Sequence, residues 1–264
     1  MKRVAILQSS YIPWKGYFAI IGLVDEFILY DDAQYTKGDW RNRNIIKTDT
    51  GPAWLTIPVL LNHRSSQRIR EAEIAERRWA SRHWRTIKTI YARAPYFRTL
   101  APTLARLYET AAAQRLLSNV NELFIRTISD LLEIETKITR SSDYELSGDR
   151  NERLIGILQQ AGATRFLSGP RARAYIDEEK FRGAGISLHW MDYSTFPVYT
   201  QLYSSPFVHE VTILDLLFNE GIEGARSYMR TALNVCDAAV FDRDRHVPGP
   251  GLQLPEKATT DQGV

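Results

Sequence analysis

The sequence predicts an α/β fold: a mostly parallel sheet with flanking helices and a helical insertion or cap in the middle. Three observations carry this. Short apolar runs alternate with helix-period segments at both ends of the chain, as strand–helix–strand units require. Three consecutive helix-period stretches fill roughly residues 76–132, with no strand-like run between them. Loops rich in Trp, Tyr, Gln, Arg and Asn follow the strand-like runs, and the carboxyl ends of parallel strands are where such folds bind ligands.

The first strand is Val4-Ala-Ile-Leu7 with its neighbours, residues 3–8. It empties into Gln8-Ser-Ser-Tyr-Ile-Pro-Trp-Lys-Gly-Tyr17 and then a helix over 17–24. A strand over 26–30 leads to a second polar loop, residues 31–44. Segments 41–47 and 53–60 read as extended, parted by the turn signal Asp49-Thr-Gly51, with Pro58 marking an edge. Helices follow over 76–94, 98–116 and 119–132, the last with Asn119 as N-cap and Glu122 completing a capping box. A strand over 138–140, a polar loop over 141–148 and a helix over 150–161 come next, with Gly162 as the C-cap. A strand over 165–167 runs into Ser168-Gly-Pro170, then a short helix over 177–182 and a strand over 186–191. Two final helices, 211–219 and 222–233, part at Gly221. Residues 1–241 are expected to form one α/β domain. Residues 242–264, rich in Pro, Gly and charge, read as a disordered tail. In this topology the loops 8–17, 31–44, 141–151, 168–173 and 193–209 meet at one edge of the sheet.

Composition sets bounds. No apolar run in the 264 residues approaches the ~20 needed to span a membrane, and Gln8 ends the first run too early for a signal peptide, so a cytoplasmic location is expected. A single cysteine, Cys236, excludes an intrachain disulfide and a cysteine-cluster metal site, and its apolar setting reads as core. Net charge is only +3, yet Arg64, Arg68, Arg70, Arg77, Arg78, Arg82, Arg85, Lys88, Arg93 and Arg98 crowd one stretch. Trp79, His83, Ile87 and Ile90-Tyr91 recur there at helical spacing, which is the pattern of an amphipathic helix with a solvated basic face. The same face suits a phosphate backbone, which makes tRNA a candidate partner. Walker A, G-x-G-x-x-G, G-x-S-x-G and H-E-x-x-H patterns are all missing, which argues against P-loop, nicotinamide, serine-hydrolase and zinc-protease chemistry of the usual kinds.

Candidate site residues follow from type and place. Asp31-Asp32 ends the second strand, where paired carboxylates can hold a divalent cation or orient an amine or hydroxyl, although Asp also starts turns. Arg41 and Arg43 alternate with Asn42 and Asn44, so an extended segment would aim one pair at a ligand and give the other structural bonds. Ser168 and Arg171 sit in a turn competent for phosphate. His209 is a general base by type, Glu210 an alternative, and Asp215, between Leu214 and Leu216, reads as a buried and paired carboxylate. Trp14-Lys-Gly-Tyr17 stands where class I nucleotide-handling folds carry a His-x-Gly-His turn. Gly16 would let a phosphate approach there, but both histidines are replaced.

Taken together, these residues resemble the WbqC-like protein family. The resemblance rests on Tyr11-Ile-Pro-Trp-Lys-Gly-Tyr-Phe18, Asp31-Asp-Ala-Gln-Tyr35, Trp40-Arg-Asn-Arg-Asn44, Trp54-Leu-Thr-Ile-Pro-Val59, Phe166-Leu-Ser-Gly169 and Ile213-Leu-Asp-Leu-Leu-Phe-Asn219, across roughly 3–235. Ser9 and His209-Glu-Val211 depart from the family's usual residues. The resemblance implies a biosynthetic step in making surface polysaccharides or small natural products. The leading reading is an acyl or aminoacyl transferase that moves a unit such as glycyl from an activated donor onto a small polar amine, for example an amino sugar. Asp32 or His209 would take the amine proton. Arg41, Arg43 and Ser168 would hold the donor, and Tyr11, Trp14 and Tyr17 would shape the acceptor pocket, with Gln8, Asp31, Gln34, Asn42, Asn44 and Arg171 completing the site. The alternatives are an ATP-dependent ligase or nucleotidyl transferase, with ATP and magnesium as cofactor, and a non-catalytic partner of tRNA or of an enzyme complex. No residue is singled out as a metal ligand, and neither a membrane nor a DNA partner is expected.

Overall fold

A computed structural model describes residues 1–61, 66–203 and 206–241. Its centre is a five-stranded, all-parallel sheet in the order β5-β2-β1-β6-β7. The strands are β1 (Arg3–Leu7), β2 (Glu26–Leu29), β5 (Lys137–Arg140), β6 (Arg165–Ser168) and β7 (Ser187–Trp190). Two further strands, β3 (Arg43–Thr48) and β4 (Gly51–Thr56), form a separate antiparallel hairpin. Numbered within the sheet, the order is 3-2-1-4-5, that of a doubly wound fold whose switch point lies between β1 and β6. Because all five strands point one way, the loops after β1, β2, β5, β6 and β7 leave the same edge. A common edge for these loops is therefore built into the topology; their meeting at one cavity is not.

The period of two in each strand divides the core. Val4, Ile6, Ile28 and Phe166 face one layer with Leu154, Ile157 and Leu158 of α5 (Arg150–Gln160) and Phe181 of α6 (Glu178–Gly183). Ala5, Phe27, Leu29 and Leu167 face a larger layer. That layer holds α1 (Lys15–Gly22), α7 (Ile213–Phe241) and the helical module α2 (Arg78–Tyr91), α3 (Phe97–Ala112) and α4 (Leu117–Leu131). In α2 the buried residues are Trp79, Ala80, His83, Ile87 and Tyr91, so the basic residues lie outside, as an amphipathic helix requires. Cys236 is buried in α7 and belongs to the core.

Several local expectations change. Asn119 does not cap α4: the helix starts at Leu117 after an extended Leu116, and no side chain caps it. Glu122 is drawn instead into ion pairs, which outbid a local cap. Pro58 lies beyond the end of β4 rather than in an edge strand. The last helix runs on to Phe241, but it does break at Gly221, where φ is +72° and ψ −178°. At α5 the capping box is Asp149 with Glu152, each side chain accepting the other's backbone N–H. The expected tail, residues 242–264, and Arg64 of the basic stretch lie outside the described residues.

The Gly221 break generates a prediction. A Cβ there would stand 2.7 Å from Tyr96 Cδ1, and this backbone region is essentially reserved for glycine. Gly221→Ala should cost about 2 kcal/mol or more, lowering Tm by several degrees in thermal denaturation. An unchanged Tm would mean that α7 passes this point as a straight helix.

Candidate active site

Three strand ends and the start of one helix meet around a single buried carboxyl. After β1, the Ser9 amide donates to Asp31 Oδ1 at 2.9 Å, across to the residue that follows β2. Asp31 is 8 % exposed. Burial pushes its carboxyl up to about 6, more than the Ser9 hydrogen bonds and the nearby charge of Arg41 can offset, and the charge of Glu122 adds to the rise. Tyr17, from α1, donates its hydroxyl to Gln8 O at 3.0 Å, and its own ionisation is suppressed by burial and then by Asp31. The Arg41 guanidinium donates to Gln8 Oε1, while its buried Nε has no hydrogen-bond partner among the described residues.

The helical module closes the other side. Asn121 of α4 donates to Ser9 Oγ at 3.0 Å and to Arg41 O at 2.9 Å, joining the module to both loops. Glu122 receives Arg140 through Nε at 2.7 Å and Nη2 at 2.6 Å, and Arg126 Nε at 2.8 Å. Between these groups lies a cavity of about 300 Å³, lined by Leu29, Asp31, Arg70, Glu122, Arg140 and Ser141 among others. Ser118 and Asn119, in the uncapped first turn of α4, complete the wall, so the helix's positive end faces the cavity. A larger cavity, about 490 Å³, opens at the opposite edge of the sheet beside Asp25, Thr136 and Arg226. It is remote from the loops, and the smaller one is the candidate because the strand ends converge on it. No trio of His, Cys, Asp or Glu side chains among the described residues is placed to hold a metal ion.

Gln8, Tyr17, Asp31 and Arg41 are thus brought together. Asp32, beside them, is engaged elsewhere: Ser141 Oγ donates to Oδ2 at 2.8 Å, and Arg68 and Arg70 pair with Oδ1 at 3.0 and 2.9 Å. Asn42 and Asn44 take the inward positions of their segment. Asn42 donates to Ile57 O, and Asn44 to Tyr11 O and Ile12 O at 2.9 and 2.6 Å, which pins the Gln8 loop to the hairpin. Arg43 points outward and lies over the Trp54 ring at 4.0 Å. Tyr11 is fully buried, hydrogen-bonded to His83 Nδ1 at 2.8 Å and Tyr108 Oη at 2.9 Å, so it cannot line an acceptor pocket. Trp14 packs on Tyr193 at 4.9 Å and covers Gly16, where a Cβ would meet Trp14 Cζ2 at 2.3 Å. That leaves no open approach for a phosphate at Gly16. Gln34 is exposed, with its backbone bridged to Arg68.

Ser168 is buried at the end of β6 and Arg171 exposed beyond it, neither lining the cavity. His209 is exposed, its ring against Phe207 at 4.6 Å and its carbonyl accepting Lys15 Nζ at 2.6 Å. Partial burial and the charge of Lys15 lower its pKa. It belongs to a separate cluster, with Lys15 and Asp215. Asp215 is buried as expected, but its partners are neutral: the hydroxyls of Tyr91 and Tyr199 and the amide of Gln201, at 2.9, 2.7 and 2.9 Å. Ser141 starts a loop expected at this edge, whereas Arg70, Asn121, Glu122 and Arg140 were not expected in the site. Each is brought there by contacts far apart in the chain, and no local pattern announces them.

Comparison with known proteins gives two matches. The model of the WbqC-like protein family matches residues 8–227. A protein of Mycobacterium tuberculosis (strain ATCC 25618 / H37Rv), described as uncharacterized protein Rv1507c, is 47 % identical over 230 residues, covering 87 % of this chain and 98 % of its own. No solved structure matches.

The raised Asp31 carboxyl makes stability depend on pH. A folded-state pKa above the unfolded value of 3.8 gives stability that is present below about pH 4 and lost as pH rises through about 6. At pH 8 the wild type therefore forgoes up to about 3 kcal/mol. Asp31→Asn keeps an acceptor for the Ser9 amide without the charge. It should melt several degrees above wild type at pH 8, with the gain vanishing at pH 4. An equal Tm difference at both pH values would show that the carboxyl is not perturbed.

Proposed function

The chain belongs to the WbqC-like protein family, and we propose that it is a biosynthetic transferase that forms an amide by moving an acyl or aminoacyl unit onto a polar amine. The observation that carries this reading is the buried Asp31 carboxyl, shifted to about 6, on the wall of a cavity flanked by Arg70 and Arg140. Such a group is ionised at neutral pH yet basic enough to accept a proton in the transition state. It also attracts the ammonium form of an incoming amine.

In this reading Asp31 takes the role first expected of Asp32 or His209. Asp32 is occupied by two guanidinium groups and the Ser141 hydroxyl, and His209 lies in another cluster. Arg70 and Arg140 have side chains 43 % and 54 % exposed, so each retains free N–H groups after its ion pair. They would hold a phosphate or carboxylate of the donor. The amine nitrogen bonds to the donor's carbonyl carbon, and the bond to the leaving oxygen or sulfur breaks. An amine that arrives as ammonium first releases one proton to solvent; the proton lost on attack passes to Asp31 and then to the leaving group. The first turn of α4, at Ser118 and Asn119, would face the negative charge that develops on the carbonyl oxygen.

The test is amide formation, followed by mass spectrometry, from acyl-thioester and aminoacyl-ester donors presented with amino sugars and other polar amines. Wild type should form product, and Asp31→Asn should slow it by about 10²- to 10⁴-fold. The rate should rise with pH through about 6 and then level, because the base works only when ionised. His209→Ala should leave the rate nearly unchanged. Wild-type turnover by Asp31→Asn would remove Asp31 from the mechanism, and the absence of any amide product across the panel would overturn the transferase reading.

A further inference from the structure

Residues 77–108 carry eight cations and no Asp or Glu: Arg77, Arg78, Arg82, Arg85, Lys88, Arg93, Arg98 and Arg106. The rest of the chain has 26 basic against 31 acidic residues, a net −5. The slight overall charge therefore conceals a strongly polarised molecule. All eight side chains are exposed. Among the described residues only Arg82 has an ion-pair partner, Glu76. Charges left unpaired on a packed helical module repel one another at a cost to the fold, and they generate a field suited to a polyanion.

The module is built to hold these charges in place. α2 and α3 pack through Trp84, stacked on Phe97 at 6.1 Å and Tyr108 at 5.8 Å. Tyr11 ties them to the sheet through His83 and Tyr108. Burial lowers His83 to about 4, so it adds no charge to the interior at neutral pH. Fourteen residues give α2 a length of about 21 Å, along which the cations recur on the solvent side. Tyr96 is the module's only large apolar side chain among those exposed in the described residues. A protein interface needs an apolar centre and membrane insertion needs an apolar wedge. A sugar–phosphate backbone needs neither. The segment carrying Arg70 into the cavity wall leads directly into α2. The far end of α3 returns through Arg115, whose carbonyl accepts the Ile74 amide, to Leu116 of the same wall.

We propose that the exposed face of α2 and α3 docks the phosphate backbone of a folded RNA, and that this RNA delivers the donor as an aminoacyl ester. The delivery rests on the transferase reading above; the docking does not. In the transfer the amine nitrogen bonds to the ester carbonyl carbon, the bond from that carbon to the ribose oxygen breaks, and the amine proton passes through Asp31 to that oxygen.

The full-length protein would be titrated against a bulk tRNA preparation by fluorescence anisotropy at 50 and 200 mM salt. Four phosphate contacts predict binding that weakens about 100-fold across that range. The triple variant R78E/R85E/K88E should bind at least 10-fold more weakly at 50 mM salt with a shallower salt slope. Its melting temperature should be no lower than that of wild type, since among the described residues these side chains have no ion-pair partners to lose and their mutual repulsion is relieved. Asp31→Asn should bind tRNA as wild type does. Absent binding, salt-independent binding, or wild-type affinity in the triple variant would overturn the docking. So would tighter binding, through the same three residues, of an acidic acyl carrier protein. Transfer from a small thioester reads the catalytic claim separately: the triple variant should retain it, and it would persist even if no RNA bound.

Discussion

The hydrogen bond from the Ser9 amide to Asp31 is the constraint on which the site depends. It joins the chain just past β1 to the chain just past β2, and it is buried. Breaking it would leave a buried amide without its acceptor and weaken the hold on a buried carboxyl, which is costly. With it in place the Gln8 loop has one course. Tyr17 and Arg41 can then both reach Gln8, one at its carbonyl and the other at its side chain. Asn121 extends the same network to the helical module, so the module cannot shift without disturbing the loops. The cavity wall is therefore a joint product of sheet and module.

A second polar network anchors the end of the chain. Asp215 accepts three hydrogen bonds from neutral donors, and Lys47 reaches Gln201 at 2.7 Å and Pro206 O at 2.6 Å. Lys15, nearly inaccessible, is lowered to about 8 by burial despite the opposing charges of Asp215 and Glu210. It sits 5.6–5.7 Å from the rings of Trp14, Tyr199 and Phe207. Buried cations and carboxylates persist only when such partners surround them. This network accounts for Trp14, Asp215 and His209 as parts of the scaffold that seats α1 and α7.

The elements legible in the sequence were those with a period. The apolar runs at 3–8 and 26–30, the three helical stretches, Gly162 and the break at Gly221 all mark local geometry, and the structure places them within a few residues. The alternation of Arg and Asn over 41–44 likewise showed that one pair would turn inward. What was not legible was partnership. Asp31 and Asp32 are adjacent and chemically identical, yet one is buried against an amide and the other is held by two arginines. Glu122 read as a cap because Asn119 stood three residues before it, whereas Arg140 and Arg126 reach it in space. Tyr11 belongs to a loop that looks functional but is consumed by packing with Trp79 and Phe124. Such outcomes are fixed by contacts across the chain, which a local pattern does not encode.

The proposed transferase rests on one perturbed carboxyl, two partly free guanidinium groups and a basic helical face. The role of base requires the Asp31 carboxyl to titrate well above an ordinary aspartate. Carbon-13 NMR of the aspartate carboxyls, recorded from pH 3 to 8 on wild type and Asp31→Asn, tests it directly. One resonance should titrate near pH 6 and be absent from the variant. If every aspartate in the wild type titrates at or below about 4, Asp31 is an ordinary carboxylate. The assignment of the base would then fail with it.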